Sequence, residues 1–256
     1  MIGPLTPSAR TRFEKAAADN GFDQELPSHD EAWLGFASTK APLWIWLSVD
    51  DRGRPLIALS QSKVAEALVP LVQPASIPLP LGARGVVGVD DVPTLHAVLR
   101  RAFQLSRTLP DAPLRRFEAK TKLMPRNTEI ERLAVQRIGQ DLFREDLLEF
   151  WEGRCAVTGL AVPALLRASH IKPWADCESD AERLDVFNGV LLAAHLDACF
   201  DAGLITIADD ATVLLASSLD PHARRCLGLE ASLRVEGLRD GHQRYLPWHR
   251  QHVFRP

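Results

Sequence analysis

Alternation of apolar and polar positions divides the chain into short elements. Thr6-Pro7-Ser8 reads as a helix start with proline in the first turn, leading into Phe13, Ala16, Ala17 and Ala18. Leu43 to Val49 is a dense run of β-type residues. Asp50-Asp51-Arg52-Gly53 follows as a turn, and Leu56 to Leu59 as the return strand of a hairpin. Pro70, Pro74, Pro78 and Pro80 make that stretch loop or sheet edge, because proline cannot donate to a ladder. Gly85 to Val89 reads as a short buried strand. Asp91-Val92-Pro93 opens a helix to about Ser106 with Leu95, Val98, Leu99 and Phe103 on one face. Thr128 with Glu131 three residues on is a capping box, and the helix it opens carries Leu133, Val135, Ile138, Phe143, Leu147 and Leu148. Gly139 is expected to break that segment into two helices.

Between these two regions lies a breaker cluster, Leu109 to Pro113, and then Arg115 to Arg126 with five basic residues and one acid. Such a run is either a solvated linker or helix face, or a phosphate-contacting segment. The expected organisation is an α+β unit of unknown fold over 1–110, acting in target recognition, a basic linker over 111–127, and a second domain over 128–256.

Composition narrows the class without naming it. The 256 residues are 46% hydrophobic and 25% charged, with 30 Lys+Arg against 33 Asp+Glu, so collagenous and wholly disordered chains are excluded. The net charge of -3 gives no general signal for nucleic acid. It averages unlike parts: residues 1–110 hold 11 basic and 11 acidic side chains, and 151–256 hold 11 and 14. Met1 to Arg10 lacks a basic region followed by an apolar stretch, and no apolar run approaches the roughly 18 residues of a membrane span. A cytoplasmic chain with reduced thiols is expected. Cys155, Cys177, Cys199 and Cys226 include no C-x-x-C pair, so a structural zinc is not expected, and Cys155 and Cys199 read as buried packing.

Candidate chemistry is concentrated after Cys155. Cys155-Ala156-Val157-Thr158-Gly159 reads as a strand end and turn, and Leu166 to Trp174 as a strand ending at Pro173. A polar loop covers Ala175 to Arg183. Leu184 to Leu192 turns into a second strand, Ala194 to Asp201 forms a short helix closed by Gly203, and Leu204 to Ile207 starts another strand. Cys-x-x-Thr-Gly, Ser-His-Ile-Lys-Pro-Trp, Asn-Gly-x-Leu-Leu and Phe-Asp-x-Gly-Leu-Ile thus follow in order. This series resembles the HNH endonucleases, nucleases with a ββα metal-binding motif, and within them the bacterial restriction-type branch. Arg137-Ile138-Gly139-Gln140, Phe143-Arg144 and Trp248-His249-Arg250 add to the likeness, which spans about Thr128 to the C-terminus.

The resemblance implies a C-terminal ββα-metal domain that hydrolyses phosphodiester bonds of double-stranded DNA, in restriction or defence, with Mg²⁺ or Mn²⁺. It makes His170 the general base and Asn188 the residue that holds the loop and so orients His170. Asn188-Gly189 read alone is also a plain hairpin turn. The family's last histidine falls on Asp197, with His195 two residues earlier. Residues two apart on a helix do not share a face, so one of the pair binds metal and Asp197 is favoured. Ser169 replaces a frequent aspartate. Asp201 reads as structural, and His249 and His252 as core or phosphate contacts. Arg167, Lys172, Arg115, Arg116, Lys120, Lys122, Arg137 and Arg144 are the expected DNA contacts, which position DNA without reading its sequence. Trp33, Trp44 and Trp46 read as core aromatics or, alternatively, as platforms for an extruded base. A homodimer would serve cutting of both strands. The rival readings are a DNA-binding protein with a weakened metal site and an effector module that depends on a protein partner.

Overall fold

The computed structural model describes residues 2–27, 32–69, 72–75, 77–109, 111–125 and 127–256. The chain divides into two compact units, Met1–Leu109 and Pro110–Pro256.

In the first unit α1 (Pro7–Asp19) starts where Thr6 Oγ1 accepts the backbone N–H of Ala9 at 3.2 Å. There follow β1 (Gln24–Glu25), β2 (Leu34–Ala37), β3 (Trp44–Val49), β4 (Pro55–Leu59), α2 (Ser62–Leu68), β5 (Gln73–Pro74), β6 (Gly85–Gly88) and α3 (Val92–Thr108). The strands form an antiparallel sheet in the order β1-β2-β3-β4-β6-β5. Proline-bearing β5 lies at its edge. Pro70 is outside the described residues. Successive strand residues point to opposite faces, which gives the sheet two cores. Ile45, Leu47, Ile57 and Leu59 are fully buried on one face, where Gly85 approaches Ala65 of α2 so closely that a Cβ would stand 2.7 Å from it. Trp46, Leu56 and Ala58 pack with Trp33 on the other face, under Ile2, Leu26, Ile77 and Val86. Trp33 and Trp46 are therefore core residues, and Trp44 is half-exposed.

The second unit begins with a helix where the sequence suggested a linker. α4 (Asp111–Thr121) packs on α5 (Glu129–Phe150) and on a short α6 (Asp180–Arg183). Its Ala112, Phe117 and Thr121 are buried, and burial of that face outweighs the solvation of its charges. Arg116 donates to the fully buried carboxylate of Asp146 on α5. Burial pushes the Asp146 carboxyl up to about 6 although the guanidinium opposes the shift. α5 keeps the expected capping box of Thr128 and Glu131. It runs unbroken through Gly139, contrary to the expected break. Gly139 meets a packing need instead: a Cβ there would lie 2.5 Å from the indole of Trp174.

The chain then forms β7 (Leu166–His170), α6, β8 (Gly189–Ala193), α7 (Ala194–Asp201), β9 (Ile205–Ile207), β10 (Val213–Leu215), α8 (Pro221–Cys226) and α9 (Leu246–His252). β7 and β8 pair antiparallel from Leu166↔Ala193 to His170↔Gly189, and α7 packs across both. This is a ββα arrangement. Residues 186–188, read from sequence as strand, form a 3-10 turn capped by Asp185. Residues 155–159 form a turn whose Cys155 sulfur accepts the backbone N–H groups of Thr158 at 3.4 Å and Ala193 at 3.2 Å. Gly203 ends α7 with a positive φ of 71°. A side chain there would also strike the carbonyl of Val253.

Candidate active site

His170 is the last residue of β7 and partly buried. Its Nε2 lies 2.9 Å from the backbone carbonyl of Arg183. A carbonyl only accepts, so Nε2 carries the hydrogen and Nδ1 keeps a free lone pair. Phe143 of α5 stacks on the ring at 3.8 Å between centroids and 15° between planes, and Trp174 meets it edge-on at 5.6 Å. Burial in this aromatic slot lowers the His170 pKa to about 4, with the Arg183 carbonyl opposing. The ring is thus neutral near pH 7, as a base must be before it takes a proton.

Asn188 is wholly buried and clamps the loop after His170. Its Oδ1 accepts the N–H of Lys172 at 2.8 Å, and its Nδ2 donates to the carbonyls of Lys172 at 3.1 Å and Glu182 at 3.2 Å. Its own backbone carbonyl accepts from Ile171 N at 3.0 Å. Both ends of the loop between β7 and β8 are therefore tied to one carboxamide. Cys177, buried and with its thiol pushed up to about 11, packs against that carboxamide at 3.3 Å.

A cleft of about 290 Å³ opens beside the hairpin, lined by Ser169, His170, Trp174, Asp197, Asp201 and His249 among others. Ser169 donates its hydroxyl to Asp197. Asp201 stands one turn beyond Asp197 on α7, a spacing that puts both on one face. Burial, and then the charge of Asp197, push the Asp201 carboxyl upward. His195 is exposed and stands outside the lining. His249 walls the cleft with both nitrogens engaged: Nδ1 accepts from Thr206 at 2.9 Å and Nε2 donates to the carbonyl of Phe200 at 3.2 Å. It stacks on Phe200 at 3.8 Å, and burial lowers its pKa to about 4. It is a structural wall rather than a phosphate contact through its nitrogens. Exposed His252 stacks on Trp248 at 4.5 Å.

The expected DNA contacts separate into two groups. Arg115, Lys120, Lys122 and Arg137 are exposed on α4, α5 and the turn between them. Arg116, Arg144, Lys172 and Arg167 are engaged within the unit. Arg116 pairs with Asp146. Arg144 donates to the carbonyls of Leu166 at 2.8 Å and Pro163 at 3.0 Å. Lys172 is buried and bonds Glu182 at 2.9 Å, a contact that raises its pKa. Exposed Arg167 folds back on the carbonyls of Ala164 and Leu166 at 3.1 and 3.0 Å. In each case a carbonyl or carboxylate of the same unit takes a cation that the sequence left free. Arg126 lies outside the described residues.

Among the described residues no Lys or Arg side chain lines the cleft, while two carboxylates and a hydroxyl do. Hard oxygen donors of this kind suit Mg²⁺ or Mn²⁺, which take one or two carboxylates and fill the remaining positions with water and phosphate oxygens. Among the described residues no three His, Cys, Asp or Glu side chains converge as a closed metal cage. The residues present fit an open, oxygen-rich site and do not suit a four-ligand zinc.

An antiparallel hairpin, a helix laid across it, a neutral histidine at the strand end and carboxylates on the helix together form a ββα unit. Residues 155–208 match the family model described as HNH endonuclease, so the C-terminal part of the chain contains an HNH domain. The match covers β7, β8, α7 and β9 and leaves the first unit unclassified. No curated protein matches the chain. Among the described residues no helix is long and apolar enough to cross a membrane.

Proposed function

We propose that this protein is a metal-dependent DNA endonuclease acting in restriction or defence. The observation that carries the reading is one cleft holding a neutral His170, its Nε2 tied to a carbonyl, together with Asp197 and Asp201. His170 takes a proton from the attacking water at Nδ1. Asn188 fixes the loop that carries the carbonyl behind His170, and Phe143 and Trp174 hold the ring plane and exclude bulk water. Asp197 and Asp201 would hold a Mg²⁺-type ion, which when bound would supply neutralisation of charge on the phosphate and the departing oxygen. Arg115, Lys120, Lys122 and Arg137 contact phosphates outside the cleft, and the first unit selects the target. Two copies would cut the two strands.

Purified protein with Mn²⁺ or Mg²⁺ is expected to nick or linearise plasmid DNA, and His170→Ala to slow cleavage by about 10²–10⁴-fold. Undiminished cutting by that variant would remove His170 as base. A second reading is favoured by the engagement of Asp197 with Ser169, which occupies one of the carboxylate oxygens offered to a cation. In that reading the domain binds DNA without cutting it, and wild type and His170→Ala retard the same fragment equally with no product.

A further inference from the structure

The contacts around α6 carry an inference that rests on the nuclease reading and goes beyond it. α6 is one turn long, Asp180–Arg183, with Ser179 as its N-cap. The last carbonyls of any helix lack an intrahelical donor. Here two consecutive ones meet the site: the Glu182 carbonyl accepts from Asn188 at 3.2 Å, and the Arg183 carbonyl accepts from His170 at 2.9 Å. The end of α6 is therefore the seat of the base.

What keeps that seat in place is the side chain of Arg183. Its Nε donates to the carbonyl of Trp174 at 3.2 Å, and Nη2 donates to the carbonyl of Cys177 at 2.7 Å. Nη1 pairs with Asp180 at 3.0 Å, and the guanidinium lies 5.9 Å from the Trp174 ring centre. Trp174 itself touches His170. One planar fork thus joins the start of the loop, its middle and the helix whose carbonyl orients the imidazole. A fork of fixed geometry can do this, and a point-charge ammonium cannot satisfy all three partners.

We infer that Arg183 is a positioning residue for the general base. It holds its own carbonyl against His170 Nε2 and so keeps Nδ1 as the nitrogen that receives the proton. Arg183 is not among the residues that line the cleft.

The test combines two readouts on the full chain. With ¹⁵N-labelled histidine, the His170 signals, assigned through His170→Gln, show the Nε2-protonated tautomer in wild type. Arg183→Ala is expected to show both tautomers. Plasmid cleavage in Mn²⁺ should show kcat reduced by about 10²-fold, the scale of a misplaced catalytic group, with KM unchanged. Arg183→Lys keeps the charge but gathers its donors on a single nitrogen, and should recover about tenfold of that loss. It also carries the test if the alanine variant does not fold. Wild-type kcat or a wild-type tautomer in either folded variant overturns the inference. If wild-type protein does not cut DNA, the nuclease reading fails, and the tautomer still decides the role of Arg183.

Discussion

Asp201 shows what a single residue gains from its place on a helix. It is spaced four residues from Asp197 and shares the cleft with it, whereas His195, two residues before Asp197, is exposed and outside the lining. Two carboxylates facing one small space repel, and burial with the charge of Asp197 raises the Asp201 pKa. A divalent cation held by these carboxylates would relieve that repulsion. Asp201→Asn and Asp197→Asn are therefore each expected to weaken Mn²⁺ binding by about tenfold or more, read by calorimetric titration. The half-saturating Mn²⁺ concentration for cleavage should rise in parallel. His195→Ala should leave both measurements unchanged. Equal Mn²⁺ affinity in Asp201→Asn and wild type would return Asp201 to a purely structural role. The i, i+4 spacing was present in the sequence, and applying it to Asp197 would have identified Asp201. Nothing comparable marks Arg183, which stands at the end of a polar loop and acquires its role only through α6.

At the scale of elements, Gly139 is the point where α5 accommodates the wall of the site. A Cβ there would stand 2.5 Å and 3.2 Å from two indole carbons of Trp174, and 3.3 Å from Phe117 of α4. Alanine is the better helix former by about 1 kcal/mol. Forcing an extra methyl into a packed contact costs about 1–3 kcal/mol. Gly139→Ala is thus expected to lower stability by about 1 kcal/mol in urea denaturation. It should also slow cleavage, because Trp174 can yield only by leaving the edge of His170. A variant more stable than wild type would mean that the indole moves without cost. The case shows why element boundaries were only partly legible. Caps and turns were readable because their signals are local, as at Thr6, Asp91 and Thr128, where side chains accept the expected backbone N–H groups. The unbroken course of α5 through Gly139 is not legible locally because its deciding partner, Trp174, is distant in sequence, and the choice between linker and helix face for the basic stretch turns on Asp146, equally distant. The same reason explains Lys172, whose motif position suggested phosphate and whose neighbour Glu182 takes its ammonium.

For the whole molecule the central quantity is charge. The chain carries a net charge of -3, so DNA cannot be drawn by a general positive field. Any affinity must come from a local set of cations. The sequence offered eight candidates, and the fold engages Arg116, Arg144, Lys172 and Arg167 with partners of their own. Arg115, Lys120, Lys122 and Arg137 remain exposed on α4, α5 and the turn between them. Each phosphate contact releases counterions and adds about 0.9 to the slope of log K against log salt concentration. Replacing these four together with glutamine should reduce the slope by about 3–4 and weaken binding to unrelated duplexes alike, because phosphate contacts carry no sequence information. Replacing Lys172 with glutamine instead should leave the slope unchanged and lower stability, since it removes a buried ion-pair partner and strands Glu182. Fluorescence anisotropy over a range of salt, with duplexes of differing sequence, measures both. A slope unchanged in the fourfold variant would move the DNA-binding face away from α4 and α5, and with it the reading of the basic stretch as the phosphate contact.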